Sequence, residues 1–313
     1  MTTVAVTGAS GFVGRRVVED LAQRGHVAIG VVRGSSASSA REVGDIGVQT
    51  DWARALEGVE VVVHCAARAH VMHERAIDPL QLYRAVNVEG TRRLAEQAAR
   101  YGVRRIVYLS SVKAAGERST PGRPLKVLDT PVPEDAYGVS KREAELALLE
   151  VGAAKGLETV IVRSPLVYGP GVKGNLFRLM AAIARGWPLP LGTLDNRRSM
   201  VSLANLTDFI SLCIESPIAA GRTFFVSDGE DLSTASLARR IGAAFGRPTR
   251  LLPVPSAVLS MLGRVTGKAT EIERLIGTLQ VDVADTHGLL RWLPPQTVDE
   301  GLRETVDWFR SLG

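Results

Sequence analysis

Cysteines, aromatic residues and long apolar runs are scarce in this sequence, and each scarcity excludes a class of protein. The two cysteines, Cys65 and Cys213, form neither a disulfide framework nor a metal-ligand cluster. Aromatic residues make up 5% of the chain and accompany no basic stripe, so the sequence lacks the stacking surface typical of nucleic-acid binding. The longest apolar stretches, such as Val59–Ala67, are interrupted by Glu60 and His64 and are too short to cross a bilayer.

The charge balance excludes little by itself. Lys and Arg number 38 against 33 acidic residues, and the resulting charge of +5 is spread along the chain, which suits anionic small molecules as well as nucleic acid. A β-like run, Val4–Val6, stands where a secretory signal would begin. With no such signal and no paired cysteines, we expect a cytoplasmic protein.

Short β-branched runs alternate with helical patterns through the first half of the chain. This alternation predicts an α/β fold with a Rossmann-type, doubly wound parallel sheet. The predicted strands are Thr3–Thr7, Val27–Val32, Val59–Cys65, Arg105–Leu109 and Glu158–Val162, and the predicted helices include a stripe from Val13 to Leu21, Asn87–Arg100 and Glu134–Ala154.

Glycine and proline become more frequent from Gly169 onward, which predicts a change of architecture. We expect the Rossmann-type domain over residues 1–168 and a smaller lobe, packed over the carboxyl ends of its strands, over 169–313, with a segment around 201–215 returning to the main sheet. The apolar stretch Val254–Thr266 could form an amphipathic surface helix, but we expect it to be buried against the main lobe, and Ser35–Ser39 to be a loop.

Three glycines three residues apart, Gly8, Gly11 and Gly14, separate the first strand from the first helix. In a dinucleotide site they serve the tight turn, the approach of the backbone to a pyrophosphate, and close helix–strand packing. A glycine-rich turn alone is also compatible with a merely tight β–α connection. The strand before it and the amphipathic helix after it favour a dinucleotide site, to which the flanking Ser10, Phe12 and Val13 would also belong.

The second strand ends without the acidic residue that usually holds the ribose of NAD. The segment from Val31 reads Val-Val-Arg-Gly-Ser-Ser, and the first carboxylate after it is Glu42. Arg33, and Arg15 after the glycine turn, could instead face the 2′-phosphate of NADP. We therefore favour NADP over NAD, with solvated arginines as the alternative.

Tyr137 and Lys141 lie four residues apart on a predicted helix, about 125 residues after the glycine turn, in a chain with only six lysines. A tyrosine with an ordinary pKa of ~10 is a poor proton shuttle, and an adjacent cation lowers that pKa. A tyrosine tuned in this way could give a proton to a carbonyl oxygen, or take one from a hydroxyl, while hydride moves at carbon. Ser110 and Ser111 follow a predicted strand nearby, where a hydroxyl could hold the substrate oxygen or simply cap the turn.

Taken together, these motifs resemble the extended short-chain dehydrogenases/reductases, the NAD(P)-dependent nucleotide-sugar epimerase, dehydratase and reductase family. The resemblance covers nearly the whole chain. The motifs that carry it are TGASGFVG (Thr7–Gly14), HCAA (His64–Ala67), NVEGT (Asn87–Thr91), LSSV (Leu109–Val112), YGVSK (Tyr137–Lys141) and RSPLVYGPG (Arg163–Gly171).

The resemblance implies a set of functional residues. The catalytic set would be Ser111, Tyr137 and Lys141, with Ser111 chosen over Ser110 because it lies five residues before Gly116. Residues that the resemblance places at the cofactor, besides the glycine turn and Arg33, are Asp45 and Ile46 at the adenine, Ala66, Ala67 and Asn87.

The resemblance also indicates the substrate. Asn175, Leu176 and Arg198 match positions that contact the diphosphate of a nucleotide sugar, and a guanidinium suits phosphate oxygens. SSVKAAGE and GPGVKGN are similar to bacterial polysaccharide-pathway enzymes acting at sugar C4. The Asp-Glu pair of the 4,6-dehydratases is replaced by Val112-Lys113, so dehydration is rejected, and Lys113 is left as either a substrate contact or an exposed loop cation.

Four functions remain open at this point. Because of Arg33, we place first a 4-reductase acting on a UDP-linked 4-keto-6-deoxy-HexNAc. The alternatives are a UDP-glucose or UDP-GlcNAc 4-epimerase that retains NAD, a dehydrogenase of non-sugar alcohols, and a non-catalytic regulator that senses dinucleotides. A homodimer through the helices near Asn87–Arg100 and Glu134–Ala154 is also possible.

Overall fold

The computed structural model describes residues 1–34, 40–69 and 78–313, so the predicted Ser35–Ser39 loop lies outside the described residues. Within these residues, seven parallel strands form one sheet in the order β3-β2-β1-β4-β5-β6-β9, and β7 pairs with β8. The strands are β1 (Thr3–Thr7), β2 (Val27–Val32), β3 (Arg41–Glu42), β4 (Val61–His64), β5 (Arg105–Ser111), β6 (Glu158–Ser164), β7 (Leu166–Tyr168), β8 (Met200–Ser202) and β9 (Arg222–Phe225).

Helices cover both faces of the main sheet. One face packs against α4 and α5, and the other against α1 and α7, so that a separate apolar core fills each side. The helices are α1 (Phe12–Gln23), α2 (Ala53–Leu56), α3 (Pro79–Arg84), α4 (Gly90–Arg100), α5 (Ala136–Lys155), α6 (Gly174–Ala184), α7 (Leu203–Glu215), α8 (Thr234–Ala244), α9 (Ser256–Val265), α10 (Ala269–Ile276), α11 (Ala284–Leu290) and α12 (Val298–Arg310). The predicted doubly wound Rossmann-type fold is confirmed.

The strand order places the candidate site. Moving outward from β1, the chain goes first to β2 and β3 and then, on the other side, to β4, β5 and β6. This reversal makes a crevice at the carboxyl ends of β1 and β4, where open α/β sheets bind ligands. The glycine turn follows β1 and the Ser110-Ser111 pair ends β5, so both predicted motifs lie at this edge of the sheet.

Local sequence explains the element that carries the tyrosine and the lysine. Asp135 caps the start of α5 by accepting a hydrogen bond of 2.7 Å from the backbone N–H of Gly138. The helix then runs for 20 residues and ends at Gly156, which is left-handed at φ +67°. A π-helical segment, Ala85–Glu89, joins α3 to α4, which lies beside α5. Such segments are frequent at functional sites.

A third core lies in the second half of the chain. Leu176, Met180 and Ile183 from α6 pack there with residues of α8 and α12. The chain also returns to the main sheet, because β9 pairs with β6 and α7 packs against α1.

The stretch Val254–Thr266 is less buried than the sequence predicted. Of its apolar residues Leu259 is buried, whereas Val258, Met261, Leu262 and Val265 are exposed on α9. The helix is short and packs mainly against α10, where Gly263 meets Ile272, so one face of α9 remains on the surface. Among the described residues, no helix is long and apolar enough to cross a membrane.

Candidate active site

The glycine turn brings three parts of the backbone into close approach. Gly8 is left-handed at φ +67°, and a Cβ there would lie 2.9 Å from the Cα of Ala66, in the loop after β4. A Cβ at Gly14 would lie 2.2 Å from the carbonyl oxygen of Gly8. The turn is closed by a 2.9 Å hydrogen bond from the N–H of Gly11 to that same oxygen. Larger residues at Gly8 or Gly14 would therefore push β1, α1 and the β4 loop apart.

The amino terminus of α1 can hold an anion. Its N-cap is Gly11, which has no side chain with which to satisfy the first-turn N–H groups, and Ser10 and Gly11 are exposed. The ring of Phe12 packs towards Gly171 of the second half, whose Cβ would lie 3.3 Å from the ring, and Val13 packs into the core. Backbone groups and the Ser10 hydroxyl are thus what this turn offers to a ligand, and these suit a dinucleotide pyrophosphate.

Arg33 and Asp45 form an exposed ion pair beyond the carboxyl end of β2. The Arg33 Nε lies 3.1 Å from an Asp45 carboxylate oxygen. The neighbouring Ile46 packs against α4, where a Cβ at Gly90 would lie 2.4 Å from the Ile46 Cγ2. The arginine on which the NADP prediction depended is therefore already paired with a carboxylate, an arrangement that the sequence did not reveal.

A buried polar chain connects the ends of β1 and β4. His64 lies within hydrogen-bond distance of the hydroxyl of Thr7 (2.6 Å) and that of Thr91 (3.1 Å), and the N–H of Ala66 donates to Thr7 at 3.1 Å. Burial, and then the charge of Lys141, lower the pKa of His64 to about 3, so the ring is neutral. This hydrogen-bonded network fixes the loop that contains Ala66 and Ala67, the predicted cofactor contacts.

The side chain of Asn87 is occupied by the protein itself. Its Oδ1 accepts from the N–H of Arg68 at 2.8 Å, and its Nδ2 donates to the carbonyl of Arg68 at 3.1 Å and to the Ser140 hydroxyl at 2.9 Å. Asn87 therefore links the loop after β4 to α5. The cofactor contact that the resemblance implies for it stays a prediction.

Ser111, Tyr137 and Lys141 meet at the carboxyl end of β5. The Ser111 side chain lies near enough to the Tyr137 phenol to lower its pKa, and its hydroxyl accepts from the N–H of Lys113 at 3.3 Å. The ring of Tyr83 packs edge-on to that of Tyr137, with the ring centres 6.0 Å apart. Lys141 is 1% exposed as a residue. Its ammonium donates to the carbonyl of Leu109 at 2.7 Å and lies 4.0 Å from the ring centre of Tyr108. A hydroxyl, a phenol and an ammonium are thus held together by one strand and one helix.

The pKa of the phenol contradicts the sequence expectation. Burial raises the pKa of Tyr137 to about 12, and the neighbouring Ser111 side chain offsets this only in part. Burial also lowers the pKa of Lys141 to about 7, against the opposing effect of Glu145. The sequence indicated that the two side chains share a helix face, but not that the ammonium bonds the Leu109 carbonyl. The lowered phenol pKa that the sequence predicted is therefore wrong, because burial outweighs the effect of the neighbouring side chains.

Lys113 is neither a bare loop cation nor an evident substrate contact. Its ammonium lies 2.5 Å from Asp135 and 3.0 Å from Glu117, and it is partly buried. Because Asp135 also caps α5, this ion pair stabilises the start of the helix that carries Tyr137. The exposed loop cation that the sequence left open is therefore wrong, whereas the substrate contact stays a prediction.

Sequence reasoning missed Glu145, which is fully buried one helical turn beyond Lys141. Its carboxylate forms a two-pronged ion pair with Arg163 of β6. The available signal was a second interval of four residues, Tyr137 to Lys141 to Glu145, on the same helix face.

The predicted diphosphate contacts lie in three different environments. Asn175 is exposed at the start of α6 and accepts from Arg178 at 2.6 Å. The side chain of Leu176 is buried in the third core, so only its backbone could contact a substrate. Arg198 donates to the carbonyls of Arg274 (2.8 Å) and Gly277 (3.0 Å) at the end of α10.

A dinucleotide-type glycine turn at a topological switch point, beside a Ser–Tyr–Lys cluster, defines an enzyme of the extended short-chain dehydrogenase/reductase class. Residues 4–226 match the model of the NAD dependent epimerase/dehydratase family. The chain belongs to this family and is an NAD-dependent enzyme of the short-chain dehydrogenase/reductase type.

Individual relatives extend this result over the whole chain. The chain is 44% identical to a UDP-glucose 4-epimerase of Vibrio cholerae over 98% of this chain and 95% of the relative. Among solved structures, UDP-N-acetylglucosamine 4-epimerase from Bacillus cereus superposes with a TM-score of 0.82 at 22% identity, covering 99% and 100% of the two chains. UDP-glucuronic acid 4-epimerase from the same organism, in complex with NAD, gives 0.79 at 18% identity and covers 99% and 97%.

Proposed function

We propose that the protein is an NAD-dependent 4-epimerase of a UDP-linked hexose, with Ser111, Tyr137 and Lys141 as its catalytic residues. The observation that carries the proposal is the grouping at the carboxyl end of β5: Ser111 ends the strand beside Tyr137, and Lys141, one turn along α5, donates to the carbonyl of Leu109 at 2.7 Å. The 44% identity to the Vibrio cholerae enzyme supports epimerisation over the 4-keto reductase that the sequence placed first.

Each residue has a distinct task in this reaction. Tyr137 takes the proton from the C4 hydroxyl and later returns it to the 4-keto oxygen, while Ser111 orients that oxygen. Lys141 supplies a positive charge beneath the phenol and would hold the nicotinamide ribose. When bound, NAD supplies the hydride acceptor and donor at C4 and a positive ring that favours the Tyr137 phenolate.

We infer that the cofactor is NAD rather than NADP. Arg33 favoured NADP as long as it was considered alone. Its partner Asp45 places a carboxylate beside the position at which a 2′-phosphate would bind, and two like charges there oppose binding. We assign the diphosphate of the substrate to Arg198 and Asn175. Calorimetric binding of UDP alone would distinguish a nucleotide-sugar substrate from an apolar alcohol.

The test is a parallel incubation of the purified protein with UDP-glucose, UDP-GlcNAc and UDP-4-keto-6-deoxy-HexNAc. Each is incubated with NADPH, with NADH and with no added cofactor, and the products are separated by anion exchange. We expect a UDP-hexose to be interconverted with its C4 epimer without added reductant. Stoichiometric consumption of NADPH or NADH by the 4-keto sugar, with no epimerisation, would instead establish the reductase.

The oligomeric state is a separate proposal. α4 and α5 lie side by side and are joined by ion pairs such as Arg92–Glu150. We propose a homodimer through the outer faces of these helices, which light scattering on the purified protein would test.

A further inference from the structure

Glu145 extends the line of functional groups on α5. Tyr137, Lys141 and Glu145 follow one another at intervals of four residues, so they share one helix face. The Glu145 side chain is 0% exposed. An acidic residue is seldom fully buried unless it is paired, and the proton transfer described above does not use this one.

The carboxylate is completely surrounded by donors. One oxygen accepts from the Ser110 hydroxyl at 2.6 Å and from the Arg163 Nε at 2.9 Å. The other accepts from Arg163 Nη2 at 2.7 Å and from Arg142 Nη1 at 3.0 Å. Two guanidinium groups and four hydrogen bonds compensate the charge of the carboxylate. Glu145 is therefore a buried negative charge.

Successive residues at the end of β5 face successive functional groups of α5. The carbonyl of Leu109 accepts from Lys141, Ser110 donates to Glu145, and the Ser111 side chain lies beside Tyr137. Three consecutive strand residues thus face three successive turns of α5, two of them through hydrogen bonds. Loss of the Glu145 contact would release the middle residue of this set, between the two that meet the lysine and the phenol.

The charge of Glu145 also acts on Lys141. The groups around the buried ammonium come from three elements: His64 and Cys65 at the end of β4, Tyr108 on β5, and Tyr137 and Glu145 on α5. Burial lowers the pKa of His64 and raises the pKa of Cys65, Tyr108 and Tyr137, so these four are uncharged at neutral pH. Glu145 is the ionised anion of the set, and behind it lie the cations Arg142 and Arg163.

We propose that Glu145 is a positioning residue for the proton-transfer site: a buried counter-charge that keeps Lys141 protonated and aligns the end of β5 with α5. Its kinetic consequence rests on the proposed function, whereas its effect on the charge of Lys141 does not. The two can therefore be tested separately.

The kinetic test compares the alkaline limb of the pH–rate profile in three variants. Lys141 must be protonated to act, so activity falls as the pH rises through its pKa. Glu145→Gln removes the counter-charge, and we expect the limb to move to lower pH by about one unit, the low end of the effect of a neighbouring charge. Glu145→Asp retains the negative charge, so its alkaline limb should lie at the same pH as in the unmodified protein.

Arg142→Gln is the matched control. It breaks a hydrogen bond to the same carboxylate but removes a positive charge, so its limb should stay in place or move to higher pH. If the substitutions acted only by loosening the structure, the alkaline limb would shift in the same direction in both Gln variants. If Glu145→Gln does not fold, Arg142→Gln alone still tests the proposal, because an alkaline limb shifted to lower pH in that variant would overturn the charge assignment.

The second test needs no substrate. The pKa of Lys141 is about 7 in the folded protein against an ordinary 10.5, so unfolding takes up a proton between these values and stability rises with pH across that window. In Glu145→Gln, a thermal unfolding series should show the rise beginning at lower pH. In a Lys141→Met background, the same substitution should leave the pH dependence unchanged.

The outcomes separate the two proposals. A shifted stability window without any UDP-hexose epimerisation would leave Glu145 as the counter-charge and refute the epimerase. Epimerisation with an unshifted limb and an unshifted window in Glu145→Gln would refute the role of Glu145 and leave the epimerase standing.

Discussion

Replacement of Gly14 by alanine is a sharp test of the cofactor site. The added Cβ would lie 2.2 Å from the carbonyl oxygen of Gly8 and 2.8 Å from its carbonyl carbon. To reach an ordinary contact of ~3.3 Å, α1 would have to move away from the turn by about 1 Å. The obstacle is backbone, which cannot rotate aside as a flexible side chain can.

The expected cost has two parts. Overpacking of this kind destabilises a fold by about 1–3 kcal/mol. The same movement displaces the N–H groups at the start of α1 that we assign to the pyrophosphate, and a loss of about 1.4 kcal/mol there corresponds to a tenfold weaker complex. We expect Gly14→Ala to lower the melting temperature and to weaken NAD binding tenfold or more.

The assays are thermal unfolding and calorimetric titration with NAD. Gly288→Ala is the matched control: Gly288 lies in α11, and no described heavy atom comes within 4 Å of the Cβ it would gain. That variant should bind NAD like the unmodified protein and be at least as stable. Unchanged NAD affinity in Gly14→Ala would refute the assignment of the turn to the cofactor.

Three further predictions follow from individual contacts. Asp45→Asn should raise affinity for NADP relative to NAD, because Arg33 would be freed from its carboxylate partner; an unchanged preference in calorimetry would contradict this. Between pH 7 and 10, the stability of the unmodified protein relative to Lys141→Met should rise by about 1.4 kcal/mol per pH unit, since the folded pKa of Lys141 is about 7, and a flat difference in urea unfolding would count against that pKa. Asn87→Ala should lower the free energy of unfolding by about 1–3 kcal/mol through the loss of buried hydrogen bonds, and an unchanged unfolding midpoint would show that Asn87 does not join the β4 loop to α5.

Periodic elements were predictable from the sequence. β1 and β2 have the predicted bounds, because a short β-branched run bounded by turn residues has few other structures available. The two-residue strand β3 has no periodic pattern because it is defined by its pairing with β2. The π-helical segment Ala85–Glu89 differs from an α-helix only in its local i→i+5 hydrogen bonds, which the spacing of apolar residues does not reveal. α9 shows the same limit, because its composition did not indicate which face α10 would cover.

The site was predictable as a set of residues but not as a set of contacts. Spacing placed Tyr137 and Lys141 on one helix face, and the chain does bring Ser111 to the phenol. Which way the ammonium points depends on β5, and the pairing of Arg33 with Asp45 depends on the segment that follows β3. These contacts set the pKa values and the proposed cofactor preference, and they arise from elements far apart in sequence.

The proton-transfer role of Tyr137 is the claim on which the proposed function depends, and Tyr137→Phe tests it most directly. Tyr83→Phe is the control: it removes the hydroxyl of the neighbouring ring, whose centre lies 6.0 Å from that of Tyr137. The rate of UDP-hexose epimerisation should fall by about 10²–10⁴-fold in Tyr137→Phe, with NAD affinity retained, and should change little in Tyr83→Phe. Undiminished epimerisation by Tyr137→Phe would contradict the account.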